Sequence, residues 1–157
     1  MVHNLTGGGA ERVAALWATG FTQRGHQVAL LLNCHKNTPM TYPIPSGTEV
    51  YNMSNWLAGK LYRHLEIDCY HVWKIRHVIK EVKPDVIIGV LDNNAHFAMK
   101  AVSSWKEKPL IIHTDHNSYE RPDYAPLSKK AYIRKFVINR EFQCVTVLTR
   151  ADKDYIG

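Results

Sequence analysis

Cysteine is scarce in this chain: Cys34, Cys69 and Cys144 are the only three, and no two of them stand in a C-x-x-C spacing. An odd, scattered set fits free thiols in a reducing cytoplasm and excludes a disulfide framework or a cysteine zinc site. Long apolar runs are also missing, and no segment approaches the ~20 residues of a membrane-spanning helix. No basic-then-apolar leader precedes Gly7, so a non-secreted, cytoplasmic protein is expected. Repeats and low-complexity tracts are absent. With 45% apolar and 22% charged residues, the composition is that of an ordinary globular chain. Its 157 residues are enough for one domain with a real core. The formal charge of +6 favours anionic partners: a nucleotide, a phospholipid surface or a nucleic acid.

What is present is organised around Thr6-Gly7-Gly8-Gly9-Ala10-Glu11-Arg12-Val13, where an apolar fragment leads through three glycines into a helical pattern. Glycine admits positive φ and lets a ligand approach the backbone. The first amides of the following helix lack intrahelical partners and carry the positive end of its dipole. Such a turn is either a phosphate-binding site or a plain tight connection between strand and helix. Two sharper phosphate motifs fail. The dinucleotide fingerprint needs a third glycine where Arg12 stands, and an acid where the next apolar run ends in Asn33. A Walker A loop would close on Gly-Lys-Ser/Thr, and none follows.

Periodicity predicts a helix over 10–24 with Val13, Leu16, Trp17, Gly20 and Phe21 on its buried face, stopped by Gly25. A doubly buried strand is expected at 28–32, followed by a loop over 33–46 and a short strand at 48–51. A long helix over 65–82 should end before Pro84. Further strands are expected at 85–89, 110–113 and 143–148. Helices fall at 93–105, at 125–140 and from 151 onward. This alternation indicates a Rossmann-like, doubly wound parallel sheet in three α/β/α layers, a single domain over 1–157. Its ligands should bind beyond the carboxyl ends of the strands, at the loops 6–9, 91–94, 114–117 and 149–152.

The densest polar cluster is His113-Thr114-Asp115-His116-Asn117, at a strand end. Side chains alternate along an extended segment, so His113 and His116 should point to opposite faces, which disfavours a shared metal. No metal site is expected. His116 and Asn117 offer donors and acceptors for hydroxyl groups, or else simply form a polar loop. Asp92 and Asn93 could bind polar groups too, although an N-cap for the next helix is the commoner role. Lys129, Lys130, Arg134, Lys135 and Arg140 flank apolar residues in one amphipathic stretch. Such a stretch can rest on anionic lipid or RNA, but more often it is a solvated helix face.

The segments Gly7-Gly8-Gly9-Ala10-Glu11-Arg12-Val13, Arg24-Gly25-His26-Gln27-Val28 and Lys83-Pro84-Asp85-Val86-Ile87-Ile88 recur here in a telling order. They are followed by Asp115-His116-Asn117, Val147-Leu148-Thr149 and Ala151-Asp152-Lys153. Together they resemble the N-terminal domain of glycosyltransferase family 4, retaining enzymes of the two-domain GT-B fold. The resemblance implies a nucleotide-sugar donor held mainly by a C-terminal domain, with the glycan or lipid-linked acceptor on the N-terminal side. It implies that Gly7, Gly8 and Gly9 face the donor diphosphate and transferred sugar, and that His116 contacts the sugar or the attacking hydroxyl. No metal or other cofactor is implied. The first strand is short, at 2–5, and the chain stops at Gly157 before any donor-binding half. A fragment of the enzyme, inactive alone, is therefore expected. The basic stretch adds an expectation of peripheral contact with the inner face of a membrane. The alternative is a non-catalytic anion- or nucleic-acid-binding module. Its aliphatic strands lack the exposed aromatics of RNA readers, so no nucleic acid is expected.

Overall fold

Continuous aliphatic runs become the central strands, because a parallel sheet covered on both faces buries every side chain of its inner strands. The computed structural model describes residues 1–34, 39–53, 68–116 and 141–156. Within them lie five strands: β1 (Ala29–Leu32), β2 (Glu49–Asn52), β3 (Val86–Val90), β4 (Leu110–Thr114) and β5 (Cys144–Thr146). The helices are α1 (Gly9–Gln23), α2 (Asp68–Val82), α3 (Asp92–Val102) and α4 (Arg150–Ile156). All pairings are parallel: β1 with β2, and β3 with β4 with β5.

Met1 and Val2 stitch the two groups of strands together. Val2 N donates to the Leu31 carbonyl at 3.0 Å and Asn33 N to the Val2 carbonyl at 2.9 Å. On the other side the Met1 nitrogen donates to the Ile88 carbonyl at 2.7 Å, and Val90 N to the Met1 carbonyl at 2.9 Å. The resulting order is β2, β1, residues 1–2, β3, β4, β5. Strand order therefore reverses at residues 1–2, as a doubly wound sheet requires.

Alternation along the strands divides the core between the two faces. Leu31, Ile87 and Ile111 pack with Ile75 and Ile79 of α2 and with Ala98, Ala101 and Val102 of α3. Val2, Leu30, Leu32 and Val90 pack on the opposite face with Leu5 and with Ala14 and Ala18 of α1. Three layers result, as expected from the sequence.

The buried face of α1 departs from the expected one. Ala14 and Ala18 face the sheet and Ala15 is buried beside them, whereas Leu16 is 60% and Phe21 38% exposed. Small residues let the helix axis approach the strands, and Trp17 fills the flank. The helix closes in a Schellman motif: Gly25 N donates to the Thr22 carbonyl and His26 N to that of Phe21, both through the φ of +83° at Gly25. Helix α2 stops at Val82 ahead of Pro84. The basic stretch expected at 125–140 lies outside the described residues, as do the first residues of the helix expected at 65–82.

Candidate functional site

The carboxyl ends of the strands gather the expected loops at one edge. The glycine turn is braced before any ligand arrives. Thr41 N donates to the Leu5 carbonyl, its hydroxyl to that of Thr6 at 2.9 Å, and the Tyr42 hydroxyl to that of Gly8 at 3.2 Å. Gly7 takes φ +138°, a conformation that needs glycine. Gly8 is the N-cap of α1 at φ −86° and supplies no side-chain cap. Its missing side chain leaves room that the Glu11 carboxylate occupies, resting against it from the first turn of the helix. An acid in that turn is favoured by the dipole.

At the carboxyl end of β4 two histidines, His113 within the strand and His116 just past it, diverge as the alternation requires. His113 is fully buried, its ring 5.3 Å from that of Phe142, which packs on the α2 and α3 side. His116 leaves the sheet on the α1 side, half-buried, with its ring centroid 5.9 Å from Trp17. The Thr114 hydroxyl donates its one proton to the Gly89 carbonyl at 3.3 Å. With that proton on the Gly89 carbonyl, the 3.4 Å contact with His116 Nε2 fits the tautomer protonated at Nε2, in which Nδ1 is the acceptor. Burial pushes the His116 pKa below the ordinary histidine value. Asp115 pulls it upward, the neighbouring His113 adds to the fall, and Glu11 also pulls upward. The net effect is a neutral imidazole at pH 7 that accepts a hydrogen bond.

Leu91 provides the third part of the edge. It caps α3 at φ 70° and ψ 156°, with no side-chain cap bond, so neither Asp92 nor Asn93 plays the capping role expected of it. Both are the first residues of α3, and Asn93 is exposed. The register is set across the sheet, where Leu91 N donates to the Thr114 carbonyl at 2.9 Å. Asn117 lies outside the described residues. The fourth loop is a reciprocal cap: the Thr149 hydroxyl donates to Asp152 at 2.7 Å, and Asp152 N donates to that hydroxyl at 3.1 Å. It secures α4 and joins the edge through the strand end, where Asp115 N meets the Thr146 carbonyl at 2.9 Å.

Sequence reasoning placed Gly7, Gly8, Gly9 and His116 at one edge; the His116 ring lies 5.9 Å from that of Trp17 in α1, the helix that Gly9 opens. It gave no site role to Glu11, Trp17 or Asn33, and it read Asn94 only as part of the polar loop 91–94, not as the partner of Asn33. Glu11 was legible as an acid three residues after a helix cap; the others depend on contacts distant in sequence. Among the described residues no group of three His, Cys, Asp or Glu side chains is arranged to hold a metal ion. No described helix is long and apolar enough to cross a membrane.

No curated protein matches the chain at a significant level. Residues 7–157 match the sequence profile of Glycosyltransferase Family 4, nearly the whole length of the chain. The glycine turn, the parallel sheet and the histidine edge all fall within that match, and the chain belongs to glycosyltransferase family 4.

Proposed function

We propose that this domain is the acceptor-side half of a retaining glycosyltransferase, moving a sugar from a nucleotide-sugar donor to a hydroxyl of a glycan or lipid-linked acceptor. Family membership supports sugar transfer in general. The finer reading rests on one observation: a neutral, half-buried His116 lies against Trp17 of the helix that the glycine turn opens, with Nδ1 an acceptor that meets no hydrogen-bond donor among the described residues. Sugars present hydroxyls, and a site that hydrogen-bonds them discriminates strongly against analogues lacking them.

In this reading the turn at Gly7, Gly8 and Gly9 lies against the donor diphosphate and the transferred sugar. The Glu11 carboxylate moves aside as the diphosphate arrives. The amides and dipole of α1 then help stabilise the charge that develops on the departing phosphate, the term expected to dominate in such a reaction. Asp92, Asn93 and Asn117 supply further polar contacts. A second domain holds the nucleotide, and no metal or cofactor is required. The basic stretch at 129–140 meets an anionic membrane when the acceptor is lipid-linked, with the protein on the cytoplasmic side.

The test is acceptor-dependent release of nucleotide by the full-length protein from UDP-glucose, UDP-N-acetylglucosamine or GDP-mannose, with the product anomer read by NMR. Release with retained configuration supports the reading. Release with inversion, or no release from any of these donors across lipid and oligosaccharide acceptors, overturns it.

A further inference from the structure

A relay of side-chain amides runs beneath the edge where the strand order reverses. Asn33 follows β1 and Asn94 lies in the first turn of α3, and both are more than nine-tenths buried. Asn94 Nδ2 donates to the Val90 carbonyl, which can only accept. Asn94 Oδ1 is thereby left as an acceptor, and Asn33 Nδ2 donates to it at 3.3 Å. The direction of each bond follows from the one before. Asn33 Oδ1 ends the relay as a buried acceptor with no hydrogen-bond partner among the described residues.

Two buried amides, one incompletely satisfied, are a poor way to fill a core. An apolar pair would fill the same space without the desolvation cost. What the amides surround is the turn at Leu91, whose φ of 70° and ψ of 156° belong to a region open almost only to glycine. A branched residue stays there only when its surroundings over-determine the backbone. Here Val90 is held by Asn94 Nδ2, and the Leu91 carbonyl accepts from Asn94 N at 3.1 Å. Leu91 N is tied to the Thr114 carbonyl. Asn94 thus grips the turn through both its side chain and its backbone, and Asn33 locks the side chain.

We propose that Asn33 and Asn94 are positioning residues whose amide relay holds the Leu91 turn in its glycine-like form, fixing Asp92 and Asn93 at the edge beside the strand end that carries His116. The role of that edge in sugar transfer rests on the reading given under Proposed function; the relay itself does not.

The experiment is a double-mutant cycle of Asn94→Ala and Leu91→Gly in the full-length protein, read by urea unfolding and by nucleotide release. With Leu91 present, loss of Asn94 lets the turn relax and recovers its strain. In the L91G background there is no strain to recover. N94A should therefore reduce the folding equilibrium constant at least about fivefold more in that background than alone. Activity should run the other way. N94A alone lowers kcat of the folded protein about tenfold or more, and adding L91G restores much of it, because glycine takes the required φ without help. Asn33→Ala should show the same pattern more weakly. Additive stability effects would overturn the relay, whether or not the protein is a transferase. Coupled stability with an unchanged kcat in folded N94A would overturn the positioning role. Absence of turnover in the unaltered protein would count against the transferase reading alone, with the cycle still deciding the relay.

Discussion

Gly89 of β3 and Ala95 of α3 touch backbone to backbone: a Cβ built on Gly89 would fall 2.5 Å from both Cα and N of Ala95. The contact pins the first turns of α3 against the strand just before the Leu91 turn, and so sets how far the helix start lies from the edge. Neither partner is the flexible end of a side chain, so the helix has to shift to admit even one carbon.

Gly89→Ala is therefore expected to destabilise the domain by about 3 kcal/mol, the upper part of the usual range for overpacking. Reduced freedom of the unfolded chain would return only about 0.4–1 kcal/mol, so the steric effect wins. The midpoint of urea denaturation checks this. A midpoint unchanged or raised would mean that the helix sits farther from the sheet than described.

Much of the fold was legible because its signals are local. Leu30, Leu31 and Leu32 form a run that only a doubly covered strand can bury, Pro84 ends a helix, and Gly25 supplies a left-handed cap. The buried face of α1 was not legible, because the alanine stripe and the stripe of Val13, Leu16 and Phe21 share the helical period. Only the closeness of helix and sheet decides between them, and it favours Ala14 and Ala18. The cap of α3 misled for a related reason. Asp92 and Asn93 are good capping types, yet the hydrogen bond from Leu91 to Thr114 in β4 moves the helix start one residue earlier. The pair Asn33 and Asn94, 61 residues apart, has no local signature at all.

Lys83 follows α2 at φ 47°, a left-handed conformation in an exposed residue. Its amide donates to the Ile79 carbonyl at 2.9 Å, closing the helix in the way glycine usually does. Lys83→Gly removes the Cβ penalty of this conformation and gives up only a solvated charge. A gain of about 0.5–1 kcal/mol is expected after allowing for the extra freedom of glycine in the unfolded chain. Thermal unfolding is the measurement. A lower Tm would show that the lysine side chain makes a contribution larger than its backbone strain.

Membrane contact is tested through the stretch from Lys129 to Arg140, which carries five basic residues and no acidic one. Near an anionic surface each such residue contributes about 1 kcal/mol, and salt weakens the effect. The protein is expected to co-sediment with phosphatidylglycerol vesicles far more than with phosphatidylcholine vesicles, and to release as salt rises. Changing Lys129, Lys130 and Arg134 to Gln should abolish the difference. Equal binding to both vesicle types would overturn the membrane reading.

His116 carries the sharpest prediction, because stability and activity depend on its neutral form in separable ways. Its pKa is lowered by burial below the ordinary 6.5, so between 6.5 and the folded value the unfolded chain binds more protons than the folded one. Its contribution to stability is complete above pH 6.5 and fades as pH falls toward the folded value. Activity should fall on the acid side as the same group is protonated, since a protonated imidazole no longer has an acceptor at Nδ1. His116→Ala is expected to lower kcat by roughly ten- to a thousandfold with a smaller effect on KM, and to remove that acid limb from the pH profile. His113, buried against Phe142, should act through stability: His113→Ala lowers Tm while the folded fraction keeps its rate. Gly8→Val separates the turn from the fold, because the atoms nearest its Cβ belong to the movable Glu11 carboxylate. That variant should stay folded and lose turnover by blocking approach to the turn. If His116→Ala keeps its rate while His113→Ala loses it without unfolding, the group that meets the hydroxyl lies on the α2 and α3 side of the sheet, and the site moves there.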